Sequence, residues 1–325
     1  MISRLSLATC FSMVLCATAE PGPVQPSFVL AWGEKGDATG QFHSPIGIAI
    51  NAADEIFVTE FNANRVQKFD TNGRWLAAFP VVEHPGGLAV DREGRLYVAA
   101  MNLGKIVVYD SAGKLLHEWG KVGEGEGEFK DPGGIAIAAD GTVYVADQSR
   151  HRVQHFTAEG KFLNKWGEYG SAPGQFGGKG KKEQRFGGPH FLAFDHEGAI
   201  FTTEGAEGRI QKLTADGKPL LHWGSNSTGT GGFGGRETAE RNKLPGPIGI
   251  VIDPEGRVWV SSTNNRVQAF TPNGKYLGGL TETGGGPGQL LLPHGMAFDS
   301  KGCFYVVDSS NQRVQKFSLT DATAK

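Results

Sequence analysis

Residues 132–156 read PGGIAIAADGTVYVADQSRHRVQHF, and the architecture follows from them. Pro132 has no N–H for a sheet ladder, so it suits the first position of a strand. PGGIAI is that strand. Asp140-Gly141 is a turn pair, and Val143–Asp147 follows as a second strand rich in β-branched and aromatic residues. Arg152–Phe156 is a third strand. A turn containing Gly160 then leads to a fourth, Phe162–Trp166, ending at Gly167. Four short strands in one unit, with no helical periodicity, make a propeller blade.

The unit is written six times, every 40–58 residues. Internal repetition at such a period is the signature of a repeat architecture. The first strands begin at Pro45 (PIGIAI), Pro85 (PGGLAV), Pro132 (PGGIAI), Pro189 (PHFLAF), Pro247 (PIGIVI) and Pro293 (PHGMAF). The second strands are IFVTE, LYVAA, VYVAD, IFTTE, VWVSS and FYVVD. The third are RVQKF, KIVVY, RVQHF, RIQKL, RVQAF and RVQKF. The sixth copy stops at Phe317 without a fourth strand, and Phe28–Trp32 near the N-terminus matches the missing one. The expectation is an all-β fold, a six-bladed β-propeller of four-stranded antiparallel blades, closed by an N-terminal strand that leaves no open edge. The cycle P-x-G-I-A, D-G-x-V-Y-V-A-D, N-x-R-V-Q-x-F resembles the NHL repeat, which implies such a propeller over residues 28–318. Lys105 in the second copy and Phe191 in the fourth depart from the pattern.

Composition limits the function. The 325 residues carry 32 Lys and Arg against 34 Asp and Glu, a net charge of −2, whereas a nucleic-acid binder needs excess cations. Residues 1–19 read as a secretory signal, with Arg4, an apolar run from Leu5 to Leu15 and an Ala17-Thr18-Ala19 cleavage site. Residues 20–325 then form a single domain, exported to the periplasm or the extracellular space. Cys10 and Cys16 depart with the leader, so Cys303 has no disulfide partner. Nothing after the leader is long and apolar enough to span a membrane. The expected state is a monomer that meets a protein, peptide, glycan or small-molecule ligand on one propeller face, with no nucleic acid.

Repetition also sorts scaffold from site. Acids end the second strand in four copies (Glu60, Asp147, Glu204, Asp308), and Arg65, Arg152, Arg209, Arg266 and Arg313 open third strands. One reading is a charged ligand-binding ring at the channel mouth, to which Arg150 would add. The other is ion pairing that positions loops. Trp32, Trp119, Trp166 and Trp223 precede Gly and read as packing between blades. His155 takes the place of Lys68, Lys212 and Lys316 and is expected to face solvent. His190 and His294 break the pattern, because each directly follows the Pro where other copies carry Ile46, Gly86, Gly133 and Ile248. Both should point toward the central axis, where neutral imidazoles are a candidate metal pair for zinc or calcium. Two Gly-rich inserts, 177–182 and 225–235, flank the copy that holds His190.

The Pro-His pairs resemble the zinc-binding histidines of the peptide-amidating lyases, which are also six-bladed NHL-like propellers. That resemblance implies His190 and His294 as two of three ligands, with His84, just before Pro85, nearest to the third place. It would put a catalytic Tyr where Gln148-Ser149-Arg150 stands and an Arg near Thr59-Glu60, and this chain has neither residue there. No catalytic residue is assigned. Two functions remain open: a recognition module without catalysis, and a metal-assisted lyase or hydrolase centred on His190 and His294, supported by Glu204 or Asp308.

Overall fold

The computed structural model describes residues 21–182, 185–234 and 246–321, and the leader read at 1–19 lies outside them. Among the described residues the fold is all-β, with only three single-turn 3-10 helices, Met101–Leu103, Gln148–Arg150 and Ser309–Asn311. Among the described residues no helix is long and apolar enough to cross a membrane.

Four separate four-stranded sheets run in chain order from the strands opening at Pro45, Pro85, Pro132 and Pro189. A two-stranded parallel sheet pairs Tyr169–Gly170 with Phe176–Gly177, and an eight-stranded sheet holds the rest. Within it, the strands Pro247–Ile252, Val258–Ser262, Arg266–Phe270 and Tyr276–Leu280 meander like the others. Pro293–Phe298, Phe304–Asp308 and Arg313–Asp321 are followed by Val24–Trp32, which pairs antiparallel with Arg313–Asp321. One parallel pairing, Val24 with Gly278, joins these two halves. A side chain at Gly278 would place a Cβ 2.0 Å from the Val24 carbonyl oxygen, so this approach needs glycine. Both terminal strands exceed the sequence reading. Val24–Ser27 pair with Ser318–Asp321 beyond the repeat, past a bulge between Phe28 and Leu30.

Each second strand is buried along its whole length, because neighbouring sheets cover both faces. The apolar core is accordingly divided into clusters between neighbours. Phe57 and Val66 meet Leu96 and Val98, and Phe201 and Ile210 meet Val258 and Val260. Ile56 and Val58 meet Tyr305 and Val307, which brings the first repeat against the last. Trp32, Trp119, Trp166 and Trp223 each lie over a glycine of the next repeat's turn: Gly73, Gly160, Gly217 and Gly274.

The first strands abut one another in sequence order, and the strand at Pro293 abuts the one at Pro45. Their glycines set the spacing. A Cβ on Gly47 would sit 2.8 Å from the Gly86 carbonyl oxygen, and one on Gly249 would sit 2.2 Å from that of His294. Hydroxyls on the second strands stitch the same joints. Thr59 Oγ1 accepts from Gly47 N and donates to the Gly86 carbonyl, at 2.8 Å each. Ser261 Oγ accepts from Gly249 N (2.8 Å) and donates to the His294 carbonyl (2.6 Å). The backbone that carries His294 is thus fixed by the neighbouring sheet.

Candidate functional site

The residue after the opening Pro of every repeat lines one cavity of about 300 Å³: Ile46, Gly86, Gly133, His190, Ile248 and His294. A second set comes from the position just after the second strand, where Phe61, Met101, Gln148 and Thr263 reach the same space. Phe186, Phe191 and Leu292 contribute further apolar wall. Among the described residues none that lines the cavity is Asp, Glu, Lys or Arg. The second set is what sequence reasoning missed. Their signal was only variation between copies, which a search for recurring residues passes over.

Both imidazoles are held neutral. Burial pushes the His190 pKa down, against a hydrogen bond to the Phe186 carbonyl at 2.6 Å. A carbonyl only accepts, so His190 Nε2 carries the hydrogen and Nδ1 keeps a lone pair. His294 is pushed down to about 4, through burial first and repulsion from His190 second. The two rings therefore face the same volume. His294 Nδ1 and Gln148 Oε1 are enclosed without a hydrogen-bond partner.

His84 lies outside the lining. Its ring stands 4.7 Å from that of Phe61, and its backbone N–H donates to Asn64 Oδ1. It does not bring a third donor to His190 and His294. Among the described residues no group of three or more His, Cys, Asp or Glu could hold a metal ion. Two imidazoles, one tied by its Nε2–H to a carbonyl, do not fit a zinc or calcium site unaided.

The recurring acids sit elsewhere. Glu60, Asp147, Glu204 and Asp308 are 0% exposed, and none lines the cavity. Each accepts from the arginine that opens its third strand, with Nε–oxygen distances of 2.5, 3.1, 2.7 and 2.8 Å. Each also takes a backbone N–H from the loop before the repeat: His43, Lys130, Gly177 or Leu291. The arginines then donate to carbonyls of those loops, as Arg313 does to Gly285, Gly286 and Gln289. A fully buried residue, Phe42, Phe129, Phe176 or Leu290, plugs each loop from below. The second repeat lacks the clamp altogether, with Ala100 and Lys105 in place of acid and arginine. Only residues 81–84 connect its first strand to the preceding sheet, so it has no loop to hold. The pairs fasten loops, and all four carboxylates are engaged in them. Burial pushes the Glu204 carboxyl up to about 7 against the pull of Arg209, and raises Asp147 against Arg152. Arg150, also outside the cavity, pairs with Glu124 at 2.9 Å.

One histidine differs from its sequence reading. His155 is half-buried and stacked on Tyr144 at 4.0 Å, on the same cross-strand aromatic position that Lys68, Lys212 and Lys316 cover in their own sheets. His151 is 2% exposed and meets Tyr169 edge-on. The insert after Tyr169 reaches across the mouth. Arg185 binds Asp131 (3.2 Å) and Asn102 (2.7 Å) on two other sheets, which sets Phe186 into the cavity wall.

The NHL repeat pattern matches residues 42–69, 129–156 and 290–317, each running from a loop plug to the end of a third strand. The chain carries NHL repeats. Peptidyl-glycine alpha-amidating monooxygenase of Mus musculus is 30% identical over 139 residues, covering 40% of this chain and 13% of that protein. The chain therefore spans a small part of the curated relatives it matches. A streptogramin B lyase structure superposes with TM-score 0.60 at 16% identity, over 91% of this chain and 97% of that one. A gluconolactonase from Xanthomonas campestris gives TM-score 0.60 at 18% identity, over 92% and 97%. At these identities the shared property is the β-propeller fold.

Proposed function

We propose that this chain is an exported, monomeric, six-bladed propeller that binds a small ligand in the cavity at its channel mouth. The blade count takes the eight-stranded sheet as two blades joined at Val24 and Gly278, with Val24–Trp32 as the closing outer strand of the last. The observation that carries the function is the lining. His190, His294, Phe191 and Gln148 depart from the repeat, and all four meet in one largely apolar cavity. A concave apolar volume with a few convergent polar groups is the ordinary form of a small-molecule site. The test is a fragment screen by ligand-observed NMR against the wild-type protein and Ile46→Trp, which fills the cavity. Hits that vanish in the folded variant support the reading. Hits that bind both proteins equally overturn it.

The second reading is a metal-assisted lyase at His190 and His294. It is favoured by two neutral imidazoles turned into one cavity and by the similarity to an amidating enzyme. Bound metal would supply Lewis-acid chemistry, but the protein offers it only two side-chain donors. Elemental analysis of untagged protein separates the readings. Below about 0.2 equivalents of zinc or calcium favours binding, and near-stoichiometric metal that His190→Ala abolishes favours the lyase.

A further inference from the structure

We propose that the cavity selects an uncharged, flat aromatic ligand of about two fused rings that carries one hydrogen-bond donor. This deepens the cavity-binding reading and rests on it. Size comes first. A cavity of ~150 Å³ with apolar walls takes one benzene ring, and this one is about 300 Å³. Shape and surface follow from Phe61, Phe186, Phe191 and Met101, whose ring faces, ring edges and thioether suit aromatic partners.

Charge is decided by what the walls lack. Among the described residues the lining holds no Asp, Glu, Lys or Arg, so an entering carboxylate or ammonium would lose its hydration without gaining a counter-ion there. That penalty is among the largest in protein chemistry. Arg185, at the mouth, is already held by Asp131 and Asn102. The donor is decided by what the walls leave unmet. Gln148 Oε1 is an acceptor, and it and His294 Nδ1 are enclosed without a partner among the described residues. A buried acceptor left alone is costly, and one ligand hydroxyl or N–H relieves it. Gln148 lies against the lining, since a Cβ on Gly133 would fall 2.0 Å from its Nε2.

The experiment compares three probes of one shape, 2-naphthol, naphthalene and 2-naphthoate, by titration calorimetry at pH 7.5 on the full chain. 2-Naphthol is expected to bind at least ten-fold more tightly than 2-naphthoate and about three-fold or more over naphthalene. Gln148→Leu and His294→Phe should each reduce the naphthol-to-naphthalene ratio while naphthalene itself is held. A naphthoate affinity equal to or above that of naphthol overturns the proposal, as does a wild-type ratio of one. If none of the three binds while fragment hits are still lost in Ile46→Trp, the ligand class is wrong and the cavity reading stands. If the probes bind Ile46→Trp as well as wild type, both fail.

Discussion

Gly249→Ala tests whether close contact between first strands is what holds neighbouring sheets at their spacing. The new Cβ would stand 2.2 Å from the His294 carbonyl oxygen and 2.8 Å from Ser261 Oγ. An ordinary carbon–oxygen contact is about 3.3 Å, so the strand at Pro293 must retreat by roughly 1 Å. Neither clash is with the far end of a flexible chain, because one atom is backbone and the other bridges both strands. Overpacking of this kind costs ~1–3 kcal/mol. Retreat also stretches the bond from Ser261 to the His294 carbonyl, worth about 1 kcal/mol. Against this, alanine restricts the unfolded chain and returns ~0.4–1 kcal/mol. The expected net loss is about 2–3 kcal/mol, read from urea unfolding followed by tryptophan fluorescence. Gly229→Ala is the control, because its Cβ meets nothing within 4 Å and its backbone is not left-handed. A loss for Gly249→Ala within about 0.5 kcal/mol of that control refutes the spacing argument.

Arg313→Met strands the buried Asp308 carboxylate and frees the loop at 285–289, with an expected loss of ~3–5 kcal/mol; the double variant Asp308→Asn, Arg313→Met should recover much of it in a thermal-unfolding cycle. His294, held near 4 against the ordinary 6.5, binds its proton more readily in the unfolded chain, so its contribution is present above pH 6.5 and is lost as pH falls toward 4, by roughly 3 kcal/mol at most; His294→Leu should remove that part of the urea-midpoint profile. Glu204 runs the other way, because a carboxyl raised from 4.5 to about 7 keeps its proton only when folded, so its contribution is lost as pH rises from 4.5 through 7 and Glu204→Gln should flatten that fall. Expressed in an export-competent host, the mature protein should begin at Glu20 by intact mass, and a retained Met1 would remove the leader reading.

What the sequence disclosed was whatever the repeat repeats. Strand positions follow from Pro, from Asp-Gly turns and from runs rich in β-branched and aromatic residues, because those features encode local backbone choices. The loop clamps were legible only as a list of charges. Nothing in Glu204 or Arg209 says that the acid will take the N–H of Gly177, which lies 27 residues earlier. That pairing depends on the loop folding back over a buried Phe176, a long-range event that no window of sequence contains. The cavity was half legible. His190 and His294 stood out because they replace Ile or Gly beside Pro. Phe61, Met101, Gln148 and Thr263 were hidden because they follow the second strand, where each copy carries something different.

Those varied positions explain how a repeated scaffold acquires a specific site. Equivalent residues around an axis would give a cavity with the same wall in every direction, and such a wall cannot orient an unsymmetrical ligand. Here polarity is confined to Gln148, His190, Thr263 and His294, and the remaining wall is aliphatic, aromatic or glycine. The insertion before Pro189 sharpens the asymmetry. Arg185 spans from its own loop to Asp131 and Asn102, so Phe186 is fixed by three sheets rather than one, and its carbonyl sets which nitrogen of His190 bears hydrogen. Arg185→Ala should therefore leave the strands intact while releasing Phe186 and the His190 tautomer together. The imidazole nitrogen shifts of His190 report that directly, and shifts unchanged in the variant would mean that the insertion does not govern the site.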